Sequence, residues 1–175
     1  GCGAKGDIFS FVQEFEGLDF PEALKMLSER AGVPLSKDNF YSKTEKEKLL
    51  NIVDCAVSFY QKKLLGNKEA LKYLEKRGLK EETIKSWRIG FAPKGWRYLF
   101  QELTSQNFSE KDLLRVGLIK KNDSSNRENS YYDVFRSRIV FPIFDQSAKI
   151  IAFSGRLFGE ENGPKYLNTP ETELF

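Results

Sequence analysis

Three stretches near the C-terminus decide the fold: FRSRIVFPI at residues 135–143, AFSGR at 152–156 and GPKYLNTPET at 163–172. Short runs rich in β-branched and aromatic residues, separated by turn residues, are typical of strands. Pro142 cannot donate a hydrogen bond to a sheet, so it indicates a strand end or an edge. Strands are therefore predicted at three places, the last two joined by a hairpin loop: 130–133, 138–142 and 149–153.

Upstream of Leu118 the apolar residues recur with helical spacing. Asp7 and Asn67 are predicted to cap the starts of helices, whereas Gly17, Gly32 and Gly78 are predicted to end them. The most extended apolar stripe runs from Leu49 to Tyr60, and shorter helices are predicted over 81–87, 95–103 and 109–116. Because helices come first and strands later, we expect an α+β fold in which N-terminal helices and a helical region precede a small, mostly antiparallel sheet.

Composition limits the possible functions. The 175 residues carry a net charge of only +3, so any site for a polyanion must be built by local clustering of cations. The absence of histidine excludes catalysis and metal ligation by His within this chain. No apolar run approaches the roughly 20 residues needed to span a bilayer, and two distant cysteines do not suggest disulfides. These features favour the cytoplasm and no membrane partner.

Cations and aromatic rings near the C-terminus form a candidate nucleic-acid site: Arg136, Arg138, Arg156, Lys165 and Tyr166. Arginine grips phosphate with two parallel hydrogen bonds, and a tyrosine ring can stack on an exposed base. The strand that holds Arg156 is expected to run into a loop that presents Lys165 and Tyr166 on the same face. The alternative is that the arginines form ion pairs with acids close in sequence: Asp133, Asp145, Glu160 and Glu161.

Acidic residues do not form a catalytic pattern. Two-metal nucleotidyl transfer needs clustered carboxylates, often Asp-x-Asp, and no two aspartates in this chain have that spacing. No catalytic residue is therefore assigned. The turn CGAKGD at residues 2–7 is typical of the last knuckle of a zinc ribbon, but Cys2 is one ligand where structural zinc needs four.

Taken together and in order, these segments resemble bacterial DNA primase over essentially the whole chain. The turn at Cys2 resembles the end of that family's zinc-binding domain. The stretches YLEKRGL at 73–79 and IGFAP at 89–93 resemble the helical start of its RNA polymerase domain. The most specific markers are FRSRIVFPI, the pair Gly155–Arg156, and PKYLN at 164–168.

The resemblance implies three segments: a remnant of the zinc-ribbon domain at 1–34, a linker at 35–43, and the N-terminal basic subdomain of the RNA polymerase domain at 44–175. It implies a parent enzyme that makes short RNA primers on single-stranded DNA at the replication fork. This segment would bind and guide the template, and metal-binding carboxylates of a Toprim domain would follow it.

The same resemblance implies cofactors and partners. The parent would hold zinc, with Cys2 as its last ligand, and magnesium, whereas no cofactor is expected in this segment. The replicative helicase would be bound by regions outside these residues, and the segment itself is expected to be a monomer. Arg156, Lys165 and Tyr166 would follow the template.

Some residues depart from the family pattern. Ala148 stands where the family usually has a hairpin glycine, so a positive φ there would cost roughly 1 kcal/mol. Ala152 and Ser154 also replace customary glycines, and Lys80 stands where a serine-type cap is expected.

Two other functions fit the residues. One is a stand-alone module that binds single-stranded nucleic acid with the same surface. The other is an interaction domain whose aromatic residues are all core, which predicts no binding to oligonucleotides at low salt.

The 175-residue chain alone is expected to make no RNA primer when given magnesium, nucleoside triphosphates and single-stranded template. The reason is the missing acidic cluster, without which two metal ions cannot be held. Gel analysis of labelled RNA measures this, and product from the purified chain would contradict the assignment of no catalytic residue.

Overall fold

The computed structural model describes most of the chain: 6–32, 37–122, 131–159 and 163–175, with only the backbone described for 37–44. The chain divides into two compact units, Gly1–Thr44 and Glu45–Phe175. No described helix is long and apolar enough to cross a membrane.

The first unit contains two short helices, α1 (Ile8–Glu16) and α2 (Phe20–Ala31). The Asp7 carboxylate accepts a 2.9 Å hydrogen bond from the Ser10 N–H, which confirms the predicted cap. α1 ends at Gly17 and α2 at Gly32, both in the left-handed region, as predicted. These caps satisfy backbone groups that a short helix leaves without partners.

The remaining helices and strands follow in chain order: α3 (Lys37–Leu65), α4 (Lys68–Lys76), α5 (Glu81–Ser86), β1 (Gly90–Ala92), α6 (Tyr98–Ser105), α7 (Glu110–Arg115), β2 (Ile119–Lys121), β3 (Tyr131–Asp133), β4 (Arg138–Phe144), β5 (Ile150–Leu157) and β6 (Tyr166–Asn168). Asn67 caps α4 as predicted, accepting from the Ala70 N–H at 3.0 Å. All described strand pairs are antiparallel, which confirms the predicted α+β class.

The larger sheet has the strand order β1-β4-β5-β6, and β2 pairs with β3 separately. Successive residues of a strand point to opposite faces. Accordingly, Ile139 belongs to one hydrophobic cluster and Val140 to another, both almost completely buried. The central strand β4 is thus buried on both faces in its first half.

Helix α3 packs against the sheet. The predicted stripe on α3 is confirmed, because six of its residues are at most 1% exposed: Leu49, Ile52, Val53, Ala56, Val57 and Tyr60. A Cβ added to Gly90 would lie 2.4 Å from the Cβ of Tyr60. Only glycine therefore allows β1 to lie this close to α3.

Three strands were not predicted, and two were predicted too short. β1, β2 and β6 have three residues each, too few for a period of two to stand out. β4 continues through Pro142 to Phe144, so Pro142 does not end the strand. The sheet edge predicted at Pro142 exists only locally. β1 pairs with β4 at residues 138–140 and not beyond, so Pro142 has a neighbour on one side alone, Phe153 of β5.

Several expectations concern the segments between the elements. Residues 37–43 of the predicted linker 35–43 are helical, in the first turns of α3, because their Lys-rich and Glu-rich surroundings favour helix. Residues 123–130 lie outside the described part of the chain. The division into a zinc-ribbon remnant, a linker and a basic subdomain therefore stays a prediction.

Ala148 lies in the hairpin turn between β4 and β5 with a φ of 58°, so the condition under which its Cβ costs stability is met. Replacing Ala148 with glycine should stabilise the fold by about 0.5–1 kcal/mol. Removing left-handed strain of about 1–2 kcal/mol outweighs the added entropy of the unfolded chain. Urea denaturation measures the change. The matched control is Ala152→Gly in β5, which should destabilise, and a loss of stability in Ala148→Gly would contradict the strain.

Candidate nucleic-acid interface

The pairing of β5 with β6 brings two of the predicted residues together. Arg156 and Tyr166 occupy directly opposite positions in the antiparallel register, so their side chains share one face of the sheet. The Arg156 guanidinium donates from Nη1 to the Tyr166 hydroxyl at 2.5 Å and from Nε to the Tyr73 hydroxyl at 2.6 Å. Arg156 is thus held between a ring on α4 and a ring on β6.

This pair extends into a series of alternating cations and rings. The Arg77 guanidinium lies 5.4 Å from the centre of the Tyr73 ring, and that of Arg156 lies 5.9 Å from it and 5.4 Å from the Tyr166 ring. Such distances suit cation–π attraction. We call the four residues Arg77, Tyr73, Arg156 and Tyr166 the arginine–tyrosine ladder. Tyr166 is 54% exposed, so one end of the ladder presents a ring to solvent.

The hydroxyls in the ladder affect the charge of its central cation. The hydrogen bond to Tyr73 raises the pKa of Arg156, partial burial opposes this, and the hydrogen bond to Tyr166 raises it further. Arg156 therefore stays fully charged, and its described partners are neutral hydroxyls that leave this charge uncompensated.

Lys165 does not join that face. Tyr166 opens β6 and does not lie on a loop as expected, and the Lys165 carbonyl accepts a 2.9 Å hydrogen bond from the Leu157 N–H. Alternation along the strand assigns Lys165 and Leu167 to the side opposite Tyr166. Lys165 is exposed, and within the described residues its side chain makes no ion pair.

Arg138 lies on the opposite face of the sheet from Arg156. It is paired with Leu157, whereas Arg156 is paired with Ile139. Arg138 is 5% exposed, and its guanidinium donates to the Gly155 carbonyl at 3.0 Å and to the Pro164 carbonyl at 2.9 Å. Burial, and then the nearby charge of Arg136, lower the pKa of Arg138.

A second cationic and aromatic surface surrounds Arg136. Its guanidinium lies 4.3 Å from the Trp96 ring and 5.1 Å from the Tyr132 ring. These rings line a cleft of about 420 Å³. We call it the basic cleft and define it by its cations and rings: Lys94, Trp96, Lys120, Tyr132, Arg136 and Arg138. No acidic side chain is among the described residues that line it.

Four residues of the basic cleft were not identified from the sequence as site residues: Lys94, Trp96, Lys120 and Tyr132. They come from the loop after β1 and from the β2–β3 pair. Lys94, Trp96 and Lys120 lie far from Arg136 along the chain, whereas Tyr132 lies close to it. The signal available in the sequence was a tryptophan beside a cation and a glycine, in PKGW at 93–96. The structure leaves the Trp96 ring 65% exposed, so it is not part of the core.

Asp133 connects the parts of the basic cleft. Its two carboxylate oxygens accept hydrogen bonds of 2.9 Å from the N–H groups of Leu99 and Phe100, at the start of α6. Its N–H donates to the Trp96 carbonyl at 2.7 Å, and Arg136 donates to its carbonyl. Asp133 is 2% exposed, and this burial raises its pKa to about 6, although the two N–H donors act in the opposite direction.

The expected ion pairs of the arginines with nearby acids are not among the described contacts. The carboxylate of Asp133 caps α6, and that of Asp145 accepts from the backbone of its own turn. Glu160 and Glu161 lie outside the described residues, as does Cys2. No group of acidic or cysteine side chains that could hold a metal is present in the described part of the chain.

A small antiparallel sheet that carries cations beside exposed rings is typical of a nucleic-acid-binding protein. The model of the DNA primase catalytic core, N-terminal domain, matches residues 59–175, and that of the CHC2 zinc finger matches residues 1–43. The chain therefore belongs to the DNA primase family through the N-terminal domain of its catalytic core, and the resemblance seen in the sequence is confirmed.

Individual relatives support the same family assignment. The DNA primase of Deinococcus radiodurans is 41% identical over 175 residues, which are 100% of this chain and 29% of that protein. A DnaG primase catalytic domain bound to ssDNA is 37% identical with a TM-score of 0.67, covering 76% of this chain and 42% of that chain.

The RNA polymerase domain of Mycobacterium tuberculosis primase DnaG was solved with a double-stranded DNA oligomer that has a 6-nucleotide overhang. It is 28% identical with a TM-score of 0.67, covering 74% of this chain and 40% of that chain. The chain thus spans less than a third of the length of the curated relatives it matches.

Replacing Asp133 with asparagine should destabilise the fold less at neutral than at acidic pH. Because the pKa of Asp133 rises from 3.8 to about 6, the folded chain binds this proton more tightly than the unfolded chain. The stabilising effect of the protonated Asp133 carboxyl is complete below the pKa of Asp133 in the unfolded chain. It is lost as the pH rises through the pKa of Asp133 in the folded chain. The difference in unfolding free energy between parent and variant should therefore fall by on the order of 3 kcal/mol from acidic to neutral pH.

Urea denaturation of both proteins across that pH range measures this difference. The matched control is Asp112→Asn. Burial opposes ionisation of Asp112, but its bonds to Lys48 and Ser109 lower its pKa overall, so the cost of this substitution should grow as the pH rises. Equal pH trends in the two variants would contradict the role assigned to burial at Asp133.

Proposed function

We propose that this chain is the template-holding part of a DNA primase, an enzyme that synthesises short RNA primers on single-stranded DNA during replication. Its membership of the catalytic-core family supports this proposal. So do the DNA primases that match it along its whole length. The segment would bind and guide the template, while residues beyond it in the whole protein would carry the chemistry.

One observation carries the proposed role: the guanidinium groups of Arg77, Arg156 and Arg136 lie against aromatic rings. The described hydrogen bonds of Arg156 and Arg136 go to neutral acceptors. Phosphate groups would supply the missing negative charge, and bases would find rings on which to stack. An ordinary surface arginine instead tends to pair with a carboxylate. Arg115, for example, binds Glu173 through Nε at 2.7 Å and through Nη2 at 2.8 Å.

In this proposal the ladder and the cleft have different tasks. Arg77 and Arg156 would neutralise phosphates beside the ladder, and the exposed ring of Tyr166 would stack on a base. Lys165 would contact the template DNA where the DNA passes the edge of β6. Arg136, supported by the rings of Trp96 and Tyr132, would hold phosphate in the basic cleft.

Complexes of related proteins support the choice of partner. One DnaG catalytic domain was solved with ssDNA, and the Mycobacterium tuberculosis domain was solved with DNA that has an overhang. We extend this partner to the present chain as part of the proposal. Cellular location at a cytoplasmic replication fork, a monomeric segment and a helicase contact made by other regions belong to the same proposal.

Zinc and magnesium are proposed for the whole enzyme. The match of residues 1–43 to a CHC2 zinc finger supports a zinc site to which Cys2 contributes one thiolate. Structural zinc takes four ligands, and this chain has two cysteines and no histidine, so its own residues do not complete that site. Magnesium would bind carboxylates outside these 175 residues.

Substitutions in the ladder and at Lys165 should separate stacking from charge in binding to a short single-stranded oligonucleotide. Arg156→Ala and Lys165→Ala should each flatten the log–log salt slope of the affinity by about 0.7, because each removes one phosphate contact. Tyr166→Ala should cost about 1–3 kcal/mol with little change in slope. Tyr166→Phe keeps the ring and should retain most of the affinity.

Fluorescence anisotropy over a salt series measures these effects, with circular dichroism to confirm that each variant folds. The control is Lys46→Ala, which removes one exposed positive charge on α3 that belongs to neither surface. If Arg156→Ala and Lys165→Ala bind like Lys46→Ala, neither the ladder nor Lys165 holds the template. A corresponding Arg136→Ala series then tests the basic cleft.

A further inference from the structure

Arg138 is a buried cation whose described hydrogen bonds go to backbone carbonyls. With 5% exposure it is far less accessible than a residue that receives phosphate from solvent. Burying a guanidinium without a carboxylate partner is costly, so its two bonds to the Gly155 and Pro164 carbonyls need a structural reason.

The two carbonyls belong to the segments that carry the template-contacting residues. Gly155 immediately precedes Arg156 on β5, and Pro164 immediately precedes Lys165. Gly155 is required here, because an added Cβ would lie 2.9 Å from the Cδ of Arg138 and 2.5 Å from the Cδ1 of Phe135. The stem of Arg138 therefore lies flat against β5 while its head reaches across to the start of β6.

β6 needs such a tie because it is a three-residue strand at the edge of the sheet. Its C-terminal end is fixed by buried Thr169, whose N–H donates to the Phe153 carbonyl at 2.9 Å and whose hydroxyl accepts from the Phe153 N–H at 2.9 Å. At its N-terminal end a backbone bond joins the Leu157 N–H to the Lys165 carbonyl at 2.9 Å. Arg138 adds a side-chain hydrogen bond just before this second end, to the Pro164 carbonyl.

We propose that Arg138 is a positioning residue: it sets Tyr166 against Arg156 without contacting nucleic acid itself. Its effect on DNA binding rests on the proposed template-holding function, whereas its effect on β6 does not. A guanidinium suits this task because its planar fork can donate to two acceptors in fixed directions, which an ammonium cannot reproduce. A positive charge without this fork would not hold both carbonyls.

The conservative variant Arg138→Lys tests the proposal because it keeps the positive charge and loses the fork. Amide hydrogen exchange of the 175-residue chain gives the first readout, without any nucleic acid. The Leu157 N–H should exchange at least about tenfold faster in the variant, because the N-terminal end of β6 is released. The Thr169 N–H should keep its protection, which separates local release from global unfolding. Unchanged protection at Leu157, or equal loss at both amides, overturns the proposal.

The second readout is the affinity for single-stranded DNA in a cycle of Arg138→Lys, Tyr166→Ala and the double variant. Arg138→Lys should weaken binding about tenfold with little change in the salt slope, because the charge is kept. The double variant should bind no more than about twofold more weakly than Tyr166→Ala, because both changes remove the same contact. If the loss of affinity in the double variant equals the product of the two single losses, Arg138 contacts the DNA separately from Tyr166. That result would overturn the positioning role.

The two readouts also separate this proposal from the proposed function. If the parent chain does not bind the oligonucleotide, the template-holding function fails, while hydrogen exchange still decides whether Arg138 positions β6. If the parent binds but Leu157 is unaffected in Arg138→Lys, the function stands and the positioning role fails.

Discussion

The packing of α3 against the sheet at Tyr60 and Gly90 is the contact on which the second unit depends. The Tyr60 ring is fully buried and makes edge-to-face contacts with Phe135 at 6.5 Å and with Phe153 at 5.6 Å. Its hydroxyl has no hydrogen-bond partner in the described structure, a cost that the surrounding aromatic packing offsets. α3 covers the face of β4 that carries Val140, and a second cluster covers the face that carries Ile139. Arg138 begins β4 and Arg156 is next to last in β5, so both cations lie at the ends of these strands.

At those ends the protein orients its cations mainly with neutral acceptors. Arg156 donates to two tyrosine hydroxyls, Arg138 to two carbonyls, and Arg136 to the Asp133 carbonyl while it stacks on rings. Carbonyls and hydroxyls fix the direction of a guanidinium without cancelling its charge. A net charge of only +3 is therefore compatible with two strongly positive surfaces. Arg115 is oriented differently: its guanidinium forms an ion pair with Glu173, which connects the C-terminal segment to α7.

The basic cleft shows how one buried carboxylate can organise a surface. Asp133 holds the start of α6 with its side chain and the Trp96 segment with its backbone, so the loop between β1 and α6 is fixed at two points. Ser137, held with a φ of 49°, turns the chain between Arg136 and Arg138. This turn lets Arg136 reach the rings while Arg138 enters the sheet. A strained residue at such a position is retained because its neighbours on both sides are bonded.

The sequence by itself determined the helices with clear caps and stripes, the α+β class, the family, and the presence of cations and rings near the C-terminus. Local signals are sufficient for these features, because a capping aspartate, a left-handed glycine or an apolar stripe acts within a few residues. The three short strands and the distribution of the arginines over two faces were decided only by the tertiary structure. Arg136, Arg138 and Arg156 appear alike in the sequence. Strand register places Arg156 between tyrosines that are 93 residues apart along the chain, Tyr73 and Tyr166. The same register buries Arg138 against carbonyls, because its neighbours across the sheet are set by non-local pairing and not by the residues beside it.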